Sequence, residues 1–342
     1  MNPEVEHAEP GDPLLAVDGL TIDLTGPGGQ PGLVQDVTFA VHGGESVALI
    51  GESGCGKTMT AMAVLGLLPA GFRVTGGSIR FQGRDLLACS EREKRSVRGR
   101  SIGAIFQEPM SSLNPTMRVG DQIAEARRLH LREHRKVARR RARELLDRVG
   151  IPNAERRLDS YPHELSGGMQ QRVMIASAIA CDPELVLADE PTTALDVTIQ
   201  AEILELLRDL RREQGIAVLL VTHDLGVVAD FCDRVVAMYA GSVVERSGVE
   251  RLFDRPAHPY TRALLDAIPQ TERPRTVLPV IRGRVPPAGQ FPPGCRFEPR
   301  CAHGGHDRCL GPQQEASLAD GRYTRCARVA DGDLVLAEGG AR

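Results

Sequence analysis

Gly51-Glu52-Ser53-Gly54-Cys55-Gly56-Lys57-Thr58 reads G-x-x-x-x-G-K-[ST], the pattern of a phosphate-binding loop. The apolar run Ser46–Ile50 before it predicts a buried strand, and the pattern from Met59 to Leu68 predicts a helix. Strand, glycine-rich loop and helix in that order are the context the motif requires. The glycines let backbone N–H groups close on a polyphosphate, and the helix start adds a favourable field. Lys57 is expected to reach the β- and γ-phosphates, and the Thr58 hydroxyl to ligate Mg²⁺.

Working outward, 342 residues with 42% apolar content can bury a large core and predict one large domain plus a smaller one. A formal net charge of -3 points to neither nucleic acid nor an anionic membrane. With no Trp and only 4% aromatics, a base-stacking nucleic-acid surface is not expected. No run of 18 apolar residues is present, so no bilayer span is expected. Met1 to Pro13 is acidic and proline-containing, reads as disordered, and lacks the basic start and apolar stretch of a signal peptide. The protein is therefore expected in the cytosol.

Strand-like runs at Leu14–Leu20, Val37–Val41 and Val47–Ile50 predict an antiparallel lead-in to the loop. Ser78–Phe81 and Ile102–Phe106 read as further strands, the second ending at Gln107. A loop rich in turn residues follows, then helical pattern from about Val119 to Val149. Residues 127–143 of that stretch hold nine Lys/Arg and one Glu. They read as a nucleic-acid or headgroup patch or as a solvated helix face, and Leu129, Val137, Leu145 and Leu146 supply a buried stripe that favours the second. Leu165-Ser166-Gly167-Gly168-Met169 is a glycine-containing turn before a helix, Gln170 to Ala180, a second anion-binding end. The apolar strand Leu185–Ala188 runs into Asp189-Glu190, which places two carboxylates at the carboxyl edge of a parallel sheet. Asp189 suits a water-mediated Mg²⁺ contact, and Glu190 suits polarising an attacking water. The strand Ala217–Val221 ends at Thr222-His223-Asp224 on the same edge, and Arg234–Tyr239 and Ser242–Glu245 complete the strands. From 251 to 326 the chain is proline-punctuated, and 327–342 reads as a loose tail.

In this order the motifs resemble those of an ATP-binding subunit of an ABC transporter. Gly51–Thr58 looks like the Walker A loop, Gln107 the Q-loop, Leu165–Met169 the LSGGQ signature with Met for Gln, Leu185–Glu190 the Walker B strand with its glutamate, Ala194-Leu195-Asp196 the D-loop, and His223 the switch histidine. The resemblance covers about residues 14–325. It implies a P-loop NTPase (RecA-like) α/β core over 14–250, with a helical signature subdomain at about 109–168. A small irregular cysteine-containing C-terminal region occupies 251–326. Gln107-Glu108-Pro109-Met110-Ser111-Ser112-Leu113-Asn114-Pro115, His258-Pro259-Tyr260-Thr261 and Pro293–Cys301 are similar to stretches of the oligopeptide/dipeptide (peptide or nickel) importer subfamily, and imply its D-type subunit. The implied partners are a second, F-type ATPase subunit, two membrane permeases and an external solute-binding protein, at the cytoplasmic face of the membrane. By the same resemblance, Gln107 reaches the metal or water, Asp189 holds Mg²⁺, Glu190 activates the water and His223 braces the γ-phosphate of ATP. Ser166, Gly167, Gly168 and Met169 serve the nucleotide of the partner subunit. Leu20-Thr21-Ile22-Asp23-Leu24 carries no aromatic where the family usually stacks one on adenine, so loose base discrimination is expected. Cys55 either fits as a small residue or, beside Lys57 and a helix start, has a lowered pKa.

Eight cysteines are present, four of them, Cys295, Cys301, Cys309 and Cys326, spaced C-x5-C-x7-C-x16-C. In a reducing compartment such a set suggests a metal centre more than disulfides. The resemblance and the chemistry both point to a metal centre, and four thiolates are what a [4Fe–4S] cluster takes. The spacings exceed the C-x2-C pairs usual for structural zinc, and His303 and His306 keep Zn²⁺ as the alternative.

Overall fold

The computed structural model describes residues 11–25, 29–192, 197–268 and 280–336. Asp196 and the rest of the expected D-loop, residues 1–10 of the expected disordered N-terminus and 337–342 of the expected tail lie outside the described residues.

The lead-in is antiparallel, as expected, and longer than its apolar runs. β1 (Leu15–Leu24) pairs with β2 (Gln30–Val41). Leu15, Val17, Leu20 and Ile22 of β1 are all buried. The shift from odd to even positions falls where the register slips, at Gly19 with φ 58°. β3 (Ser46–Ile50) leads into α1 (Lys57–Leu65), which ends at Gly66 in the left-handed conformation rather than at Leu68. β4 (Phe72–Phe81) and β5 (Arg84–Asp85) complete a four-stranded sheet of order β2-β1-β4-β5.

After α2 (Glu91–Val97), β6 (Ile102–Ile105) forms an edge of the second sheet, to which β3 also belongs. A helical layer intervenes: α3 (Pro109–Ser112), α4 (Val119–His130), α5 (Arg135–Arg148), α6 (Ala154–Arg157) and α7 (Gly167–Ala178). The helix expected over 119–149 is two. Arg132 takes φ 54°, and the His134 imidazole accepts the Lys136 N–H to start α5 afresh. The expected stripe is half right. Leu145 and Leu146 are buried with Ala138 and Ala142, but Leu129 is 69% exposed and Val137 37%: α4 buries Ile123, Ala124 and Arg127, which leaves Leu129 on its outer face, and Val137 lies off the buried face of α5.

β7 (Leu185–Asp189), α8 (Val197–Gln214), β8 (Ala217–Val221), α9 (Leu225–Phe231), β9 (Arg234–Tyr239) and β10 (Ser242–Gly248) follow. The main sheet runs β11-β12-β10-β9-β3-β8-β7-β6, with β6, β7, β8, β3 and β9 parallel. Every residue of β3, β7 and β8 is buried, as strands covered on both faces require. The carboxyl ends of these three adjacent strands carry the phosphate loop, Asp189-Glu190 and Thr222-His223.

The C-terminal region is woven into this core. α10 (Val249–Asp254) and α11 (Pro259–Asp266) follow β10. Beyond α12 (Asp307–Leu310), β11 (Ala316–Ser317) and β12 (Tyr323–Thr324) extend the main sheet through Glu245↔Thr324. Residues 327–330 of the expected loose tail form α13 (Ala327–Ala330), starting at Cys326.

Candidate functional site

The phosphate loop leaves β3 with Gly51 at φ 148°, Gly54 at 79° and Gly56 at 100°, values that favour glycine. A Cβ on Gly51 would run into the Met238 carbonyl and the Cys55 sulfur. Gly56 caps α1 without a side-chain hydrogen bond, so no side chain of the cap takes the first-turn N–H groups. Lys57 is buried and folds back over the loop. Its Nζ donates to Gly51 O at 2.7 Å and Glu52 O at 3.1 Å. Ser53, Gly54 and Thr58 face solvent. Cys55 is fully buried, and burial pushes its thiol up despite the neighbouring Lys57 charge. The lowered pKa is thus not what the fold produces; Cys55 is a small packing residue.

Thr58 Oγ1 donates to Asp189 Oδ1 across 3.3 Å. Burial raises the Asp189 carboxyl; the Thr58 bond opposes this, the Glu190 charge adds to it and Lys57 opposes it. A hydroxyl and a carboxylate side by side at the end of a phosphate loop are hard oxygen donors, the kind Mg²⁺ takes together with phosphate oxygens.

Glu190 sits just past β7 with φ 47°, a left-handed conformation uncommon outside glycine, at a position where backbone strain collects in working sites. Its N–H is tied to Val221 O at 2.8 Å, which fixes it against β8. Its carboxylate accepts Gln107 Nε2 at 3.1 Å on one oxygen and lies 3.1 Å from His223 Nδ1 on the other. Three residues 83 and 33 positions apart in sequence therefore share one hydrogen-bonded set. An amide, a carboxylate and an imidazole on one edge can orient a water and carry its proton. Gln171 holds the same corner from behind, its Nε2 donating to Pro191 O at 2.5 Å.

Ser166, Gly167, Gly168 and Met169 are elsewhere, at the start of α7 in the helical layer. The Ser166 hydroxyl accepts Met169 N–H at 3.4 Å and caps the helix. Ser166 and Gly167 are exposed, and a Cβ on Gly167 would meet nothing within 4 Å.

Cys295, Cys301, Cys309 and Cys326 carry free thiols and line one small pocket together with His303 and Phe297. The backbone crosses itself here: Cys295 N donates to Cys309 O at 2.8 Å, and a Cβ on Gly294 would collide with that same carbonyl. Burial raises the Cys295 thiol to about 11, with added repulsion from Cys326, Cys309 and Cys301. Among the described residues, no group of three or more His, Cys, Asp or Glu side chains is placed to hold a metal ion. The thiols ring one space without converging on a point. His303 lines the pocket but His306 instead caps α12, accepting Arg308 N–H at 3.2 Å.

Three contacts were not anticipated. Arg300 pairs with Glu52, the second residue of the phosphate loop, and Tyr260 accepts the Glu52 N–H. Arg296 donates to Ala240 O beside the loop. The signal available was only that His258–Thr261 and Pro293–Cys301 stand out as motifs; nothing in their spacing points to Glu52.

Residues 34–193 match the family described as ABC transporter, and residues 244–309 match the oligopeptide/dipeptide transporter C-terminal region. A putative peptide import ATP-binding protein of Brucella abortus (strain 2308) is 49% identical over 314 residues, 92% of this chain and 94% of that one. The dipeptide transport ATP-binding protein DppD of Escherichia coli (strain K12) is 45% identical over 92% of this chain and 96% of its own. Among solved structures, the dimeric ATP-binding cassette MJ0796 in a post-hydrolysis state with ADP and Pi is similar, at TM-score 0.62 and 28% identity over 69% of this chain and 98% of that chain. Among the described residues no helix is long and apolar enough to cross a membrane.

Proposed function

This chain belongs to the ATP-binding subunits of ABC transporters, in their peptide-import branch, and from that premise we propose how it works. It hydrolyses ATP to power the import of peptides. The observation that carries the chemistry is the single set formed by Gln107, Glu190 and His223 beside the loop of Lys57. Lys57 neutralises the β- and γ-phosphates of Mg-ATP, and Thr58 and Asp189 hold its metal, with Gln107 reaching the metal or the water. Glu190 orients the water and draws its proton as the water oxygen attacks the γ-phosphorus and the bond to ADP breaks. His223 braces the γ-phosphate. The catalytic unit is the segment 14–250, and 251–326 is the branch-specific addition.

Ser166, Gly167, Gly168 and Met169 close over the nucleotide of a second ATPase subunit. Two permeases and an external binding protein complete the assembly, with this chain at the cytoplasmic face of the membrane. Exposure of Ser166 and Gly167 at a helix start supports this reading, because a helix start favours an anion. Gly168→Asp is the test. An acid in the first turn suits the helix itself, so the isolated chain should fold and bind Mg-ATP as the parent does. In the assembled transporter the new carboxylate faces a γ-phosphate, and ATP turnover should be lost. Weakened Mg-ATP binding by the isolated chain would place the signature on its own nucleotide instead.

Cys295, Cys301, Cys309 and Cys326 hold a [4Fe–4S] cluster in this reading. Four free thiols lining one small pocket support it, since such a cluster takes four thiolates. Its part is to staple a proline-punctuated segment, and no electron-transfer step is implied. Protein purified without oxygen should absorb broadly near roughly 400 nm and carry about four irons per chain. Cys309→Ser should bleach it. Colourless protein with one zinc per chain would decide for the zinc alternative.

A further inference from the structure

The phosphate loop is held by more than its own strand and helix. Glu52 takes both guanidinium nitrogens of Arg300, Nη1 to Oε2 at 2.6 Å and Nη2 to Oε1 at 3.0 Å. The Arg300 side chain is only 6% exposed, and its Nε donates to Arg282 O at 2.8 Å, so the fork is fixed from behind. The Glu52 N–H donates to the Tyr260 hydroxyl at 2.8 Å. Tyr260 is fully buried, its ring 4.8 Å from that of Tyr239 and 5.4 Å from that of Phe297. On the loop's other side Gly241 N donates to Cys55 O at 3.0 Å, and Arg296 secures that turn through Ala240 O. Arg296 directly follows Cys295 and Arg300 directly precedes Cys301, two of the thiols around the common pocket.

We propose that Arg300 and Tyr260 are positioning residues of the phosphate loop, making the cysteine-bearing region a strut that sets the loop's geometry for nucleotide. A two-point guanidinium–carboxylate fork fixes direction as well as distance, which one lysine cannot do. Tyr260 fixes the backbone of the same residue, so Glu52 is held at both its main chain and its side chain. The loop works by aiming several N–H groups at one phosphate, and misplacement by about 1 Å costs on the order of 10²-fold in such sites. The inference rests on the reading of the loop as a Mg-ATP site.

The test is amide hydrogen exchange on the full chain without nucleotide, followed by Mg-ATP binding to the same samples. Arg300→Gln and Glu52→Gln should each speed exchange across Gly51–Lys57 by about 10-fold while leaving α7 at the parental rate. The double variant should be no faster than either single one, because both remove the same contact. Arg300→Lys should fall between parent and Arg300→Gln. The Kd for Mg-ATP should rise by about 10-fold alongside. Tyr260→Phe removes one hydroxyl from a buried ring and gives the same readout should Arg300→Gln fail to fold. Loop exchange within about twofold of the parent, faster exchange throughout the chain, or an unchanged Kd despite a faster loop would each overturn the proposal. A parental chain that binds no Mg-ATP, with loop exchange responding as described, would refute the nucleotide reading and leave the strut standing as a purely structural contact.

Discussion

Glu190→Gln should bind Mg-ATP as tightly as the parent and lose hydrolysis by about 10²–10⁴-fold in the assembled transporter. The amide has the shape of the carboxylate. Its oxygen can still accept Gln107 Nε2, and its NH₂ can turn to His223, whose Nδ1 accepts when the ring proton is on Nε2. What goes is the charge that draws a proton from water. The backbone at 190 is held at φ 47° by the Val221 hydrogen bond, which the substitution does not touch, so the site should keep its form. Binding of a fluorescent ATP analogue and release of phosphate, measured side by side, check this. A rate near the parental one would remove Glu190 from the chemistry.

Lys57→Ala should act on binding itself. In the folded chain Nζ is buried and spends its donors on Gly51 O and Glu52 O. A polyphosphate in the loop offers charged acceptors instead, and each charge-assisted hydrogen bond contributes about 1.5–3 kcal/mol. Losing two of them weakens Mg-ATP by roughly 10²-fold or more. Equilibrium titration of the purified chain reads it directly. A Kd within about threefold of the parent would mean that Lys57 only braces the loop.

The contrast between these residues and Arg300 shows what can be read from one sequence. Gly51–Thr58 is contiguous, and its neighbours announce strand and helix, so both the fold class and the loop were legible. Asp189, Glu190 and His223 were legible because parallel strands end on one edge, and apolar runs mark where they end. Gln107 joined them by resemblance of motif order. By contrast, Leu129 and Val137 were placed on a buried stripe with Leu145 and Leu146 by reading one helix where there are two; within α4 the buried Ile123, Ala124 and Arg127 leave Leu129 on the outer face. α8 passed unremarked although Ile203, Leu207 and Leu210 keep a helical interval and are buried. Arg300 and Glu52 are 248 positions apart, and no local pattern links such a pair. The cysteine spacing pointed to a metal centre, and among the described residues no group is placed to hold one; what the spacing did not show is the backbone crossing that sets Cys295 against Cys309.

The central claim is that hydrolysis at this site is coupled to peptide import, and the direct measurement is phosphate release by the chain with its permeases in sealed vesicles, with and without peptide-loaded binding protein outside. The account predicts that, with the ATPase side and its ATP enclosed, a dipeptide or oligopeptide raises the rate several-fold and appears in the lumen, on the ATPase side, only when ATP is consumed. It predicts no stimulation with Glu190→Gln. A rate indifferent to peptide in the parental assembly, with no peptide moved, would contradict it.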